Sequence, residues 1–408
     1  MKTVRSVARI DMAALLLAGF CSQAAAQDQA GGVELTFGIS FRAETNSNPS
    51  LGPISAGASN KASVGLSFGL LSETNISRLA FNASASGLTA SGPGNPVTGF
   101  INPQLSISYA REVANADFSF DAGLTSADLT SDLDVTDFDA GTGTRRTASV
   151  TTALNWGKTA PLGFGISAGI TDVAYRDAAV DQINNRTLRA GASIRADLSE
   201  VMQLDLGLRV SQFEKDGFPV RDTTGLDAGL TLIGPRGSIT LRAALDNTAD
   251  GTRQSLSFGQ SFDLPDSALS YNIGATRGVN DKISLTGSLS YQRELANGAV
   301  TIDLGRTVSA GNETDTEKRQ STVSVGYQTE LSPLSNLSLS LDWANSIDTA
   351  TDLGTTNTSL QATYSQSLAQ DWSLDLGYTH RLRDKDGVGR GASDSLFLQL
   401  RRDFSMRF

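Results

Sequence analysis

Cysteine is nearly absent from this chain of 408 residues, which contains only Cys21. That residue lies near the N-terminus and follows Phe20, where a lipoprotein signal would carry a small residue, so lipid attachment at Cys21 is not expected. Beyond it the chain has no cysteine and therefore no disulfide. An exported protein of this size without disulfides needs another extensive framework. A closed sheet, in which backbone polar groups pair with one another, provides it.

Long apolar runs are also missing, because no segment approaches the ~20 apolar residues of a transmembrane helix. Positive charge is in deficit, with 33 Lys and Arg against 43 Asp and Glu and a formal net charge of −10. This balance argues against nucleic acid as a partner, since proteins that bind nucleic acid present basic patches. The remaining way for the chain to cross a membrane is a closed β-barrel.

The N-terminus has the features of a secretory signal. Lys2, Arg5 and Arg9 form a basic start, residues 13–20 form a short apolar segment, and three alanines at 24–26 precede Gln27. We therefore predict a signal peptide over residues 1–26 and a single mature domain over residues 27–408, and export fits a cell outer membrane.

The last fourteen residues, Ser395 to Phe408, place apolar side chains at every second position, interrupted only by Arg402. Side chains two apart share one face of a strand, so this is a strand with an apolar face that runs to the end of the sequence. It resembles the terminal strand of bacterial outer-membrane barrels, which the assembly machinery recognises. On this resemblance Phe404, Met406 and Phe408 are the expected assembly signal.

The same alternation recurs along the chain, beginning with Val33 to Arg42, in segments of the ~10-residue length typical of barrel strands. It predicts an all-β fold, a transmembrane antiparallel up-and-down β-barrel of about 20 strands with a range of 18–22. The longer interruptions are predicted loops at Gly87 to Pro103, Ala127 to Arg146 and Asp172 to Arg186. A soluble β-sandwich or β-helix is the rival architecture, but uninterrupted hairpins with Gly, Ser, Thr and charge opposite the apolar face favour the barrel.

The face opposite the apolar stripe supplies candidate functional residues. Charged rings in a water-filled barrel set which ions pass, whereas Arg and Asp on neighbouring strands also neutralise one another and stiffen the wall. Both roles are open from the sequence. The pore-lining candidates are Arg42, Arg189, Arg195, Arg209, Arg242, Arg381, Glu34, Asp205, Asp227, Asp303, Asp342 and Asp375.

Two loops carry weaker signals. The aspartates at positions 128, 132, 134, 137 and 139 could bind calcium or bridge lipopolysaccharide through divalent ions, but their spacing fits no EF-hand, and a solvated acidic loop is favoured. Gly87 to Pro103 could fold inward and narrow the pore. No metal or cofactor is predicted.

Histidine is as rare as cysteine, and the single one, His380, lies in the apolar phase with Tyr378 and Leu382 near the outer rim. A rim-sited hydrolase would pair it with a serine or an aspartate. The simpler role is an interfacial ring beside aromatic residues. With no Walker, zinc or dinucleotide motif in the sequence, we expect no enzyme.

The opening stretch GVELTFGISFRAETNSNPSLG, with alternating aromatics that run into an Asn-rich first loop, resembles uncharacterised outer-membrane β-barrels of the porin type from proteobacteria. That resemblance implies outer-membrane lipid and lipopolysaccharide as surroundings in a Gram-negative cell. It also implies a porin-like channel for passive or facilitated diffusion of small hydrophilic solutes. The alternatives are a polysaccharide export conduit and a non-conducting structural or adhesive barrel; the oligomeric state is open.

Overall fold

In this computed structural model the described residues are 31–92, 97–129, 135–136, 138, 143–177, 182–310, 317–369 and 371–408. The predicted signal peptide, residues 1–26, and the predicted start of the mature domain at Gln27 lie outside them. Within these ranges no helix is long and apolar enough to span a membrane.

The described residues form twenty antiparallel strands, which confirms the predicted all-β architecture and strand number. The strands are β1 (Gly32–Asn46), β2 (Ser59–Glu73), β3 (Ser77–Ser91), β4 (Val97–Val113), β5 (Ala116–Asp128), β6 (Thr144–Trp156), β7 (Leu162–Arg176), β8 (Asn185–Ser199), β9 (Met202–Lys215), β10 (Arg221–Gly234), β11 (Gly237–Thr248), β12 (Gly251–Leu264), β13 (Ser267–Arg277), β14 (Ile283–Leu295), β15 (Gly298–Ala310), β16 (Glu317–Ser332), β17 (Ser335–Asp348), β18 (Gly354–Ala369), β19 (Trp372–Lys385) and β20 (Gly389–Arg407).

Each strand pairs with its neighbours in sequence, and β20 pairs with β1, so the sheet closes and has no free edge. At this seam the backbone N–H of Phe408 donates to the carbonyl of Val33 at 2.8 Å, and the N–H of Val33 donates back at 3.2 Å. The chain end thus belongs to the wall. Closure satisfies the backbone groups that an edge strand would leave unpaired in lipid.

The register keeps the two faces of the sheet distinct around the wall. On the apolar face Phe37 stands opposite Phe68 on β2 and Phe404 on β20, and the Phe37 and Phe68 rings lie 5.1 Å apart. Large apolar side chains on this face are far from buried, with Leu66 and Ile273 61% and 62% exposed. A closed sheet with an exposed apolar outer face is a membrane-spanning barrel, because only lipid makes that exposure favourable.

Arg402 interrupts the terminal apolar stripe without leaving an isolated charge on it. Its guanidinium lies over the rings of Phe404, at 4.3 Å, and of Trp372 on β19, at 5.4 Å. Such cation–π contacts stabilise a positive charge at the boundary between lipid and water. The break in the alternation is therefore part of the aromatic rim near the chain termini.

Several strands are longer than the alternation predicted, which corrects the predicted loops. The first residues of the predicted loop Asp172 to Arg186 continue β7 as far as Arg176. Most of Gly87 to Pro103 belongs to β3 and β4, so these described residues form part of the wall and not an inward loop. Asn102 and Pro103 form a β-bulge there, where the register shifts and Asn102 has φ of +49°. A bulge accommodates proline because the strand needs no N–H at that point.

Candidate functional site

The polar face of the wall encloses the lumen, and the register places all twelve predicted pore-lining residues on it. For example, Arg42 stands opposite Ser63 and Gln399, and Asp303 stands opposite Ser290 and Ser324. The arginines do not form a single ring. The chain termini and the short turns lie at one rim of the barrel. Counted along its own strand from that rim, Arg195 is the fifth residue and Arg42 is the eleventh.

The charged side chains of the lumen separate along the barrel axis. Ten or more residues from the end that carries the chain termini, the lumen face carries the cationic side chains Arg42, Lys61, Arg145, Arg189, Lys215, Arg221, Arg253, Lys318, Arg381, Arg383 and Lys385 and the anionic side chains Glu44, Asp246 and Asp348. Eight or fewer residues from it, the lumen face carries the anionic side chains Glu34, Glu73, Glu112, Asp117, Asp121, Asp197, Asp205, Asp227, Asp263, Glu294, Asp303, Glu330, Asp342, Asp375 and Asp403 and the cationic side chains Arg78, Arg195, Arg209, Arg242, Arg401 and Arg407.

Four charged residues from consecutive strands β9 to β12 form an ion network on the lumen wall. Arg209 contacts Asp246 at 2.7 Å and Asp227 at 3.4 Å, and Arg253 donates to the second oxygen of Asp246 at 3.0 Å. Asp246 is buried, so the two arginines compensate a carboxylate withdrawn from water. Of the predicted candidates, the structure brings together Arg209 and Asp227. The sequence reasoning did not single out Arg253.

Gly225 on β10 makes room for this network. A Cβ atom at that position would lie 2.5 Å from the Arg209 Nε and 2.5 Å from an oxygen of Asp246. Arg209 on β9 therefore reaches across a bare stretch of β10 to Asp246 on β11. A side chain at Gly225 would separate the two charges.

Arg195 holds a turn rather than standing free in the lumen. One guanidinium nitrogen donates to the carbonyls of Gly157, Lys158 and Ala160, at 2.9, 3.0 and 2.8 Å, all in the turn between β6 and β7. In the same turn the amino group of Lys158 contacts the carboxylate of Glu112, and this hydrogen bond raises the pKa of Lys158.

Arg42 is also held against the wall. Its guanidinium lies 3.8 Å from the centre of the Phe397 ring and contacts Glu44 at 2.8 Å. Phe397 covers Gly377 on β19, where a Cβ atom would overlap the ring. An aromatic ring over a glycine fills the bare strand and presents the arginine on a rigid support.

The remaining candidates occupy separate positions. Asp205 accepts two hydrogen bonds from Gln203, and Asp342 accepts one from Ser324 at 2.5 Å. The other six candidates lie on the lumen face outside the ion network: they are Glu34, Arg189, Arg242, Asp303, Asp375 and Arg381.

Two described residues of the connection between β5 and β6 contact β18 and β19 on the lumen face. The Val135 carbonyl accepts a hydrogen bond from Asn357 on β18 at 2.9 Å, and the Phe138 carbonyl accepts one from Arg383 on β19 at 2.8 Å. Both donors belong to the lumen face, with Asn357 opposite Arg383 in the register. From the sequence, Gly87 to Pro103 was the segment that could fold inward. The inward contacts come instead from this acidic connection.

Of the five aspartates between positions 128 and 139, Asp128 at the end of β5 is described and lies 4.0 Å from Lys61. The other four lie outside the described residues. Among the residues that the structure describes, no group of three or more His, Cys, Asp or Glu side chains could hold a metal ion.

His380 lies on the outward face near the outer ends of β19 and β20, as the sequence indicated, but it has an acidic partner that sequence reasoning missed. Its Nδ1 lies 2.7 Å from an oxygen of Asp394, and the hydroxyl of Tyr378 donates to the same oxygen at 2.7 Å. Asp394 is fourteen residues from His380 in the chain but directly opposite it in the register. This pair joins two strands on the outside of the barrel.

Comparisons with known proteins address the fold. No family model matches the sequence, and no curated protein matches it significantly. Among solved structures, a single-residue mutant of the ferric enterobactin receptor PfeA from Pseudomonas aeruginosa superposes with a TM-score of 0.52 at 12% identity, covering 92% of this chain and 81% of that one. The chain shares the closed antiparallel β-barrel fold of this receptor. This barrel also matches the P. aeruginosa siderophore receptor PirA (TM-score 0.47, 13% identity, 91% and 80% covered) and OccK5 (TM-score 0.40, 11% identity, 92% and 98% covered).

Proposed function

We propose that this barrel is a porin-like channel for passive or facilitated diffusion of small hydrophilic solutes. The observation that carries the proposal is the polar, charged face that lines the closed wall along its whole height. Twenty strands ~4.8 Å apart and tilted by ~40° make a wall about 125 Å around and about 40 Å across. Barrels of 16–18 strands already enclose an aqueous channel.

The lumen is wide enough for solutes and is narrowed from within. Strands and their connections account for the described residues, and among these the contacts that cross the lumen come from the β5–β6 connection. A connection held at the outer mouth by these contacts would reduce the cross-section of the lumen, which suits a diffusion channel with a size limit.

The surroundings proposed for the channel follow from its outer surface. The exposed apolar face fits outer-membrane lipid, and we propose that lipopolysaccharide surrounds the rim that carries the longer connections. We propose Phe404, Met406 and Phe408 as the signal for the assembly machinery, since they continue the apolar stripe of the strand that closes the barrel. We propose no enzymatic role: the contacts described for His380 and Asp394 are with one another and with Tyr378, and they include no serine of the kind that a hydrolase would use.

The decisive test is electrical. Protein beginning at Gln27 is refolded into a planar bilayer, and single-channel current is recorded at low and high salt, with reversal potentials across a salt gradient. Stable conductance steps, together with swelling of proteoliposomes in small sugars, are the expected result. Protein that is inserted and heat-modifiable but carries no current would contradict the proposal. It would favour a gated conduit for polysaccharide export or a non-conducting structural or adhesive barrel.

A further inference from the structure

We propose that the outward face of β14 to β17 binds a phosphorylated glycolipid of the outer leaflet, lipopolysaccharide, through the paired arginines Arg306 and Arg319. Arg306 on β15 and Arg319 on β16 follow the apolar, outward phase of their strands. Such a site presupposes the outer membrane as surroundings, but it does not depend on whether the lumen conducts.

The two arginines are neighbours on the outer surface. In the register Arg306 stands opposite Ser321, and Arg319, two residues from Ser321, stands opposite Val308. Diagonal neighbours of this kind are ~7–8 Å apart, which is within reach of long side chains. Because two like charges at this distance repel, an anion held between them would stabilise this part of the wall.

Carboxylates of the described residues do not neutralise this pair. Within the ranges that the structure describes, neither guanidinium has an ion pair or a hydrogen bond, although Arg319 is half-buried. Glu317, two residues from Arg319, is buried and accepts a hydrogen bond from the backbone N–H of Val279 at 3.2 Å. Asp281, in the same turn as Val279, pairs with Arg277 at 3.0 Å.

The pair lies at the height of lipid headgroups. Counted from the rim that carries the chain termini, Arg306 is the ninth residue of β15, and Val308, opposite Arg319, is the eleventh. A tilted strand rises ~2.5 Å per residue, so the two arginines lie roughly 20–27 Å up. The apolar band of outer-membrane barrels is ~25 Å tall, which places the guanidinium groups at its upper boundary.

Directly below the arginines the outward face is apolar and concave. One row of the register across β14 to β17 consists of Leu289, Leu304, Val323 and Trp343. A cavity of about 530 Å³ is lined by this row and, one row higher, by Arg306. An apolar cavity beneath a cation suits an acyl chain whose headgroup carries negative charge.

The pairing of β14 with β15 also ends at this site. Its last pair is Gly287 with Arg306, and both strands continue outward for four more residues, 283–286 and 307–310, without pairing to one another. The register has no shift there, and neither segment contains proline. Backbone groups that face this separation have no ladder partner, and the hydroxyl and phosphate groups of a glycolipid can provide one.

These features together specify the occupant. Arginine binds phosphate through two parallel hydrogen bonds, and two arginines side by side suit a headgroup with more than one phosphate oxygen to offer. The cavity requires an acyl chain on the same molecule. A phosphorylated glycolipid has both parts, and we place it at the rim where we propose that lipopolysaccharide surrounds the barrel.

The native tryptophans provide the test. Trp343 lies in the cavity, whereas Trp156 ends β6 and Trp372 begins β19 at the opposite rim. Protein beginning at Gln27, with Trp156→Phe and Trp372→Phe, is reconstituted in phosphatidylcholine with brominated acyl chains, which quench Trp343. Diphosphorylated lipid A, added as a minor component, should displace the quencher and restore the emission, with a preference over phosphatidylcholine of at least about fivefold.

The variant Arg306→Gln with Arg319→Gln should abolish this preference while the protein remains heat-modifiable. The matched control, Arg111→Gln with Arg293→Gln, removes two outward arginines near the opposite rim and should leave the preference unchanged. Lipid A without phosphates should show no preference for the unmodified site, which separates the role of the charged headgroup from that of the acyl chains.

Glu313 and Asp315 belong to the connection between β15 and β16 and lie outside the described residues. The variant Glu313→Gln with Asp315→Asn should therefore bind lipid A as the unmodified barrel does. A several-fold gain in preference would show that these carboxylates occupy the arginines in the native protein, and would overturn the proposal.

Equal affinity for lipid A and phosphatidylcholine would overturn it as well, as would a preference that persists without the two arginines or without the phosphates. Conductance is not measured in these experiments. Failure of the lipid site and failure of the proposed channel are therefore separate results.

Discussion

Release of the β5–β6 connection from the wall should widen the channel. The double variant Asn357→Ala, Arg383→Met removes the two donors that hold the carbonyls of Val135 and Phe138. A neutral hydrogen bond contributes about 1 kcal/mol and one from a charged donor about 1.5–3 kcal/mol, so roughly 2–4 kcal/mol of docking free energy is lost. That change raises the ratio of released to docked connection by roughly 30- to 900-fold.

The expected change in conductance follows from the area that the connection covers. Inward side chains reduce the ~40 Å wall to a clear width of about 30 Å, and any single chain segment that crosses this width, with its side chains, would occupy a band ~10 Å wide. Removal of that band should raise single-channel conductance at 1 M KCl by roughly one and a half-fold. It should also increase current noise, because the released connection moves in the lumen.

Two controls separate this effect from a general change in the lumen. Arg242→Met removes one cation from the lumen face of β11, and Ser359→Ala shortens a side chain two residues from the anchoring Asn357 on β18. Neither should alter conductance at 1 M KCl by more than a small fraction. If the double variant had the conductance and noise of the unmodified channel, the connection would not be narrowing the lumen.

Three further predictions concern the wall itself. Arg195→Met removes three hydrogen bonds to one turn and should lower the free energy of unfolding by about 2–3 kcal/mol in urea titrations followed by heat modifiability, whereas Arg189→Met on the same face should change it little. Gly225→Ala should weaken the ion network and lower stability by about 1 kcal/mol, whereas Gly229→Ala has room, with its nearest neighbouring atom at 3.7 Å. Deletion of Phe408 should reduce the amount of assembled, heat-modifiable barrel in the outer membrane without changing the amount exported.

Each of these has a clear contrary result. Equal unfolding curves for the two arginine variants would show that the turn contacts contribute nothing. If Gly229→Ala lowered the stability as much as Gly225→Ala, the steric explanation for Gly225 would be wrong. If the chain without Phe408 assembled fully, the terminal strand would be part of the wall but would not act as an assembly signal through that residue.

The architecture could be predicted because side chains on a strand alternate with period two, and lipid demands an apolar residue at every outward position. Val33 to Arg42 shows this phase, and β1 carries it. Above the apolar band outward residues meet water, so the alternation disappears while the strand continues. This is why β7 was expected to end before Asp172 and in fact reaches Arg176.

The site was harder to predict because it depends on register and on distant contacts. The polar phase assigned the candidates to one face of the wall, where the register also places them, yet it could not show that Arg195 binds a turn. The partners His380 and Asp394 meet only once the β19–β20 register is known. Asn357 and Arg383 follow the polar phase of their strands, but nothing local to them indicates a contact with Val135 and Phe138.

The position of the β5–β6 connection means that strand number does not set the size of solute that enters. The connection begins between β5 and β6, and its Val135 and Phe138 carbonyls are held at β18 and β19, so these two places of attachment divide the strands around the outer mouth into two unequal groups. One group is the seven strands from β19 through the seam to β5, and the other is the thirteen strands from β6 to β18. Changes in the length or anchoring of this one connection can therefore shift the exclusion limit while the twenty-strand wall stays the same.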